Sequence, residues 1–268
     1  MAPPIRLIST DFDGTLFAEF ENPPVPTGLQ QLLAALQAQG ARWVINTGRD
    51  MSNLMESLVR SRLSVLPDYL VLVEREIYVR EGAHYVPLIE WNRACTMAHA
   101  VLFDRVRPDI PGLATWINDR FEATVYEDAF SPFCLIAGDN GDADRIVAHL
   151  EEYCRTFPEL TVVRNDVYAR FSHVGFSKGT ALSELARRLE VPARSVLAAG
   201  DHWNDLPMLR RERAGCLVAP ANAIDAVKES VRNQGGFVSD ETCGYGVLAG
   251  IEHHLRAAGM PLPVTSQP

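Results

Sequence analysis

Hydrophobic and polar positions change period several times along the chain, and each change marks an element. In "IRLIST", Ile5, Leu7 and Ile8 form a short apolar run of the kind found in strands buried on both faces, and it ends on "DFDGTLF". A polar, Pro-rich loop, "AEFENPPVP", follows. Leu29, Leu32, Leu33 and Leu36 then recur at helical spacing in "TGLQQLLAALQAQG", with Thr27 and Gln30 placed as a capping box and Gly40 as the stop. "ARWVINTGRD" reads as a buried strand running into a loop at Thr47 and Gly48. A helix at "MSNLMESLVRSRL" and a strand at "DYLVLV" repeat the alternation, which predicts a parallel sheet covered by helices.

From about Glu76 the rhythm changes. "EIYVREGAHYVPL" predicts a hairpin, "NRACTMAHAVLFDRV" a helix, and "FEATVYED" and "FCLIAG" strands. A helix at "DADRIVAHLEEYCRTF" and strands at "LTVVRN" and "VYARFS" complete a segment of α+β character. Alternation returns with helix "KGTALSELARRL", strand "SVLAAG", helix "NDLPMLRRE" and strand "GCLVA". The expected organisation is α/β: a Rossmann-like parallel sheet core of residues 1–83 and 173–268, with an α+β cap of residues 84–172 inserted into it. The final "MPLPVTSQP" reads as a loose tail.

Composition narrows the partners. Against 25 Lys and Arg stand 34 Asp and Glu, a formal charge of -9, which disfavours a nucleic-acid backbone or an anionic membrane surface. An anionic substrate therefore needs local positive charge. The five cysteines, Cys95, Cys134, Cys154, Cys216 and Cys243, are odd in number and contain no CxxC pair, as expected of free thiols in a reducing cytoplasm. "MAPPIRLIST" lacks the long apolar region of a signal peptide, and no apolar run approaches the roughly 18 residues of a membrane span.

The candidate chemistry gathers at strand ends. In an extended strand Asp11 and Asp13 share a face, roughly 7 Å apart, and their repulsion needs a cation or hydrogen-bond donors to offset it; a tight turn through Gly14 and Thr15 is the alternative explanation. A second carboxylate pair, Asp201 and Asp205, follows the apolar strand "SVLAA" in "AGDHWNDLPML". Parallel strands present their carboxyl ends along one edge, where ligands collect, so all four carboxylates can converge there. An oxygen-only ligand set favours Mg²⁺ over zinc. Thr47, with the Gly48 amide beside it, offers phosphate contacts, and Lys178 in "FSKGTAL" offers an ammonium; a strand-end cap and a solvated helix residue are their ordinary structural roles.

Taken in order, "DFDGTL", "NTGR", "SKGTAL" and "GDHWND" resemble the four motifs of the haloacid dehalogenase superfamily of aspartate-nucleophile phosphatases. The position of the insertion resembles the Cof-like and sucrose-phosphatase-like subgroup, as do "VAPANAIDAVK" and "GYGVLAGIEHHL". The resemblance implies Asp11 as nucleophile through an aspartyl-phosphate, Asp13 as general acid and base, and Mg²⁺ on Asp11, Asp201 and the Asp13 carbonyl, with Asp205 acting through water or by orienting ligands. Thr47, Gly48, Lys178 and Asn204 would hold the phosphoryl group or the nucleophile. The implied activity is hydrolysis of a small phosphorylated metabolite, a sugar phosphate or a related compound, with the cap selecting the leaving group. A phosphomannomutase-like sugar phosphomutase is the alternative, and a non-catalytic Mg²⁺-stabilised binding protein is the other class. One departure stands out: many Cof-like members carry Asn-Gly-Ala after the third core strand, where this chain has "VEREIYV", closer to the sucrose-phosphatase-like pattern. In the cap, Trp91, Trp116 and the scattered arginines could touch a substrate, with packing and surface pairing as their ordinary roles.

Overall fold

The computed structural model describes residues 4–260. The expected loose tail lies outside these residues, apart from Met260. In chain order the elements begin with β1 (Leu7–Thr10), α1 (Thr27–Ala38), β2 (Arg42–Asn46), α2 (Met51–Ser61), β3 (Tyr69–Leu72), β4 (Glu76–Glu81) and β5 (His84–Pro87). Then come α3 (Ile89–Val106), α4 (Ile110–Asn118), β6 (Ala123–Tyr126), β7 (Cys134–Ala137), α5 (Asn140–Cys154), β8 (Leu160–Asn165) and β9 (Tyr168–His173). The chain continues with α6 (Lys178–Arg188), β10 (Val196–Ala199), β11 (Cys216–Ala219), α7 (Asp225–Asn233), β12 (Phe237–Val238) and α8 (Cys243–Ala257).

Of the described residues, 4–88 and 178–260 form one unit. Its eight-stranded sheet runs β12-β11-β10-β1-β2-β3-β4-β5. The pairs from β12 to β3 are parallel, and β4 and β5 close the edge as an antiparallel hairpin. Strands β1 and β10 are buried along their whole length, as their continuous apolar runs require. Ile8, Trp43, Ile45, Leu197 and Val218 pack with Leu29, Leu33 and Leu36 of α1 and with Val247 and Ile251 of α8 in one core. Because β1 and β10 are adjacent and parallel, their carboxyl ends lie side by side, and the acidic segments after Thr10 and Ala199 start from neighbouring points.

Ile89–Ser177 form the second unit, so the junctions fall five residues after 84 and five after 173, later than the sequence pattern suggested at both ends. The reason at the first junction is pairing: His84 to Pro87 bond to β4 and extend the core sheet. The second unit holds a four-stranded antiparallel sheet, β6-β7-β9-β8. Phe133, Leu135 and Phe171 pack against Leu102, Ile117, Ile146 and Leu150 of its helices.

Two local expectations fail for physical reasons. Thr27 does not cap α1; Pro26 occupies that position, and Gln30 turns its amide to the Val25 carbonyl (2.9 Å) while its Oε1 accepts from the Ser64 amide (2.8 Å). "NDLPMLRRE" is not a helix but a single 3₁₀ turn, Trp203–Asp205, followed by turns. Pro207 supplies no N–H to a continuing helix. The Asp205 carboxylate takes the amides of Asp201 and His202 as well, bending the segment back on itself.

Candidate active site

Asp11 is the first residue beyond β1, its amide donating to the Ala199 carbonyl across to β10 (2.9 Å). Only 6% of it is exposed. Lys178, the first residue of α6, is fully buried, and its Nζ donates to Asp11 Oδ1 at 2.5 Å and to Asp205 Oδ1 at 2.6 Å. A buried ammonium at a helix N-terminus opposes the helix dipole and loses hydration, so it persists there because two carboxylates receive it. Asn46 anchors the same residue through its backbone, donating from Nδ2 to the Lys178 carbonyl at 3.0 Å.

Asp11, Asp201 and Asp205 each present a carboxylate oxygen, and these oxygens lie within 4.8 Å of one another. Thr15 fixes Asp201, its hydroxyl donating to Oδ1 at 2.7 Å. Gly14 allows the approach: it has φ +71°, and a Cβ there would lie 2.5 Å from Asp201 Oδ2. Asp205 already accepts three hydrogen bonds, from Lys178 and from the amides of Asp201 (2.8 Å) and His202 (3.0 Å). Asp11 and Asp201 each accept one side-chain bond, which leaves them the oxygens for a cation. An all-oxygen set of this charge fits a hard divalent ion such as Mg²⁺.

Proton affinities carry the mark of this crowding. Burial raises the Asp11 carboxyl well above its ordinary value; Lys178 opposes the rise, and Asp205 and Asp201 add to it. Burial, then the Asp205 charge, pushes Asp201 up to about 7. Burial alone would lower Lys178, but Asp11 and Asp205 outweigh it and hold the ammonium protonated beyond its ordinary range.

The other candidate residues are placed around this triad with different partners. The Asp13 carboxylate is not in the triad: Arg49 grips it with two bonds of 2.7 Å, from Nε and Nη2. Only its backbone carbonyl is left for the metal role the resemblance gives it. Thr47 is buried; its hydroxyl oxygen accepts from the Arg49 amide at 3.2 Å, and its carbonyl accepts from the Glu74 amide at 2.9 Å. Asn204, also buried, donates from Nδ2 to Glu74 Oε1 at 2.9 Å. A Cβ on Gly48 would lie 3.4 Å from that same Oε1.

The family of haloacid dehalogenase-like hydrolases matches residues 116–246, a stretch that includes Lys178, Asp201 and Asp205. A phosphoglycolate phosphatase of Methanothrix thermoacetophila is 40% identical over 144 residues, 54% of this chain and 60% of that protein. A 5-amino-6-(5-phospho-D-ribitylamino)uracil phosphatase, YcsE of Bacillus subtilis, is 25% identical over 252 residues, covering 93% of this chain and 95% of its own. The sucrose-phosphatase of Synechocystis sp. PCC6803, solved with sucrose and phosphate, shares the fold with a TM-score of 0.69 at 19% identity, over 94% of this chain and 98% of that one. Together these findings support a phosphatase of the haloacid dehalogenase-like kind.

Two residues of this haloacid dehalogenase-like site escaped the sequence reading. Arg49 closes the "NTGR" motif, and its charge directly after Thr47-Gly48 is the signal the sequence offers for it. Glu74 has no motif to announce it. Its only signal is the "VEREIYV" departure itself, since Val73 and Glu74 occupy a turn with φ +45° and +69°, where an Asn-Gly pair is the ordinary choice. In the second unit, Arg105, Arg107, Arg145, Arg155 and Arg164 each pair with a carboxylate of that unit, and Trp116 stacks on His149 with ring centroids 3.7 Å apart.

Proposed function

We propose that this phosphatase hydrolyses a small phosphomonoester, a sugar phosphate or a related phosphorylated polyol or acid, through an aspartyl-phosphate on Asp11 and with Mg²⁺ as cofactor. The observation that carries the reading is Lys178, fully buried between Asp11 and Asp205 beside Asp201. An ammonium so placed holds the Asp11 carboxylate in one orientation and leaves a positive charge where a phosphoryl group can dock. An Asp11 oxygen attacks phosphorus in line, the bond to the ester oxygen breaks, and Asp13 gives that oxygen a proton. Asp13 then takes a proton from water, whose oxygen displaces Asp11 from phosphorus and frees inorganic phosphate. Mg²⁺, bound by the Asp11 and Asp201 carboxylates, supplies neutralisation of the phosphoryl charge. Arg49 holds the Asp13 carboxylate with two hydrogen bonds, so Asp13 must turn from the guanidinium to reach the leaving oxygen.

The similar proteins are phosphatases named for phosphoglycolate, for a phosphoribitylaminouracil and for sucrose, which supports that substrate class. The inserted unit is assigned the choice of leaving group. Hydrolysis is favoured over phosphoryl re-transfer because a mutase needs clustered cations for a second phosphate, and five arginines of the inserted unit are already paired with carboxylates. The test is phosphate release from a panel of sugar monophosphates and 2-phosphoglycolate. Stoichiometric release with Mg²⁺, its loss on chelation and its absence in Asp11→Asn are expected. Movement of labelled phosphate between positions of one hexose with little release would replace hydrolase by mutase.

A further inference from the structure

The turn between β3 and β4 is built against its residues' conformational preferences. The Arg75 amide closes it onto the Leu72 carbonyl at 2.9 Å, which leaves Val73 and Glu74 as central residues, both in the left-handed region at φ +45° and +69°. For a β-branched valine that region is a true outlier, and for glutamate it is unfavourable; glycine and asparagine are the residues it suits. Glu74 is nevertheless only 6% exposed, so a strained turn delivers a carboxylate to a buried place.

That place connects three of the four motifs. The Glu74 amide donates to the Thr47 carbonyl (2.9 Å), its Oε1 accepts from Asn204 Nδ2 (2.9 Å), and the same oxygen would lie 3.4 Å from a Cβ on Gly48. Its negative charge is also felt at Lys178, after those of Asp11 and Asp205. We propose that Glu74 is a positioning residue of the active site, whose hydrogen bond fixes the Asn204 amide and whose charge offsets Lys178 so that product phosphate leaves readily. This rests on the phosphatase reading of Asn204 and Lys178 given above. A carboxylate here weakens the site's hold on every phosphate dianion, product included; a neutral acceptor of the same shape would keep the Asn204 bond and lose that repulsion.

Three proteins separate the two roles: the unsubstituted chain, Glu74→Gln and Glu74→Gly. Inorganic phosphate binding is measured by calorimetry in Mg²⁺ buffer, alongside steady-state kinetics with p-nitrophenyl phosphate and thermal unfolding. Glu74→Gln keeps kcat within about threefold and binds phosphate about tenfold tighter, with product inhibition strengthened to match. Glu74→Gly loses the Asn204 contact, so kcat falls about tenfold, while relief of the turn raises the melting temperature by about 2–4 °C. A lower melting temperature for Glu74→Gly, or unchanged or weaker phosphate binding by Glu74→Gln, would overturn the proposal and leave the phosphatase reading standing. If the unsubstituted chain neither releases nor binds phosphate, the parent reading fails, and this one with it.

Discussion

Replacing Lys178 by methionine keeps most of the side chain's volume and deletes only its charge. Asp11 and Asp205 then lose a partner at 2.5 and 2.6 Å inside the fully buried part of the site, with Asp201 close by. Removing one member of a buried ion pair costs about 3–5 kcal/mol. For a chain of this size that corresponds to a fall in melting temperature of roughly 10 °C. Raised above its unfolded value, the Lys178 ammonium contributes stability throughout acidic and neutral pH and loses it only as pH rises through its folded value, so it is charged across pH 5 to 8. Any pH dependence of the loss in that range therefore belongs to the carboxylates. Asp201, pushed up to about 7, takes up a proton by pH 5, and burial raises Asp11 in the same direction, so the penalty shrinks. Thermal unfolding in chelator, at pH 5 and pH 8, gives the comparison: a large loss at pH 8 and a loss at least halved at pH 5 are expected. A loss below about 1 kcal/mol at pH 8, or one equal at both pH values, would refute the placement of Lys178 as the charge that holds the carboxylates together.

In the metal-free protein, Asp201 protonates near pH 7 folded and near 3.8 unfolded, so the folded state binds more protons between these values and stability falls as pH rises through them, by on the order of 2–4 kcal/mol. A bound cation takes the proton's place, so stabilisation by Mg²⁺ grows from pH 5 to pH 8 in melting curves; a stabilisation flat across that range would contradict it. Gly14→Ala sets a methyl group 2.5 Å from Asp201 Oδ2 in a backbone conformation that L residues resist. A loss of about 1–3 kcal/mol and weaker Mg²⁺ binding by calorimetry are expected, both absent if Asp201 lies elsewhere.

Much of the core was legible because its signals are local. Apolar runs mark β1, β2 and β10, a leucine spacing marks α1, and the parallel alternation puts Asp11 and Asp201 on one sheet edge; that β1 and β10 are neighbours is seen only in the pairing. What was not legible depends on long-range partners or on backbone conformation. β5 was read as part of the insertion because a hairpin has the same sequence pattern whichever sheet it joins, and only its bonds to β4 decide. The segment after Asp205 has a helix-like composition, yet Pro207 and the Asp205 carboxylate, which captures backbone amides, turn it aside. Lys178 is a candidate from its motif, but its complete burial between two carboxylates is not legible locally, because those partners lie 167 and 27 residues away. Glu74 reaches the site through two positive φ values, and no residue pattern encodes them when the residues are valine and glutamate.

The central claim is that Asp11 accepts the phosphoryl group. An enzyme turning over p-nitrophenyl phosphate with Mg²⁺ can be quenched in acid and reduced with borohydride, which converts an acyl phosphate on aspartate to homoserine that peptide mass spectrometry locates. Homoserine at position 11, dependent on both substrate and metal and absent from an Asp11→Asn control, is the expected result. Sustained phosphate release with unmodified Asp11, or with homoserine at any other aspartate, would contradict it.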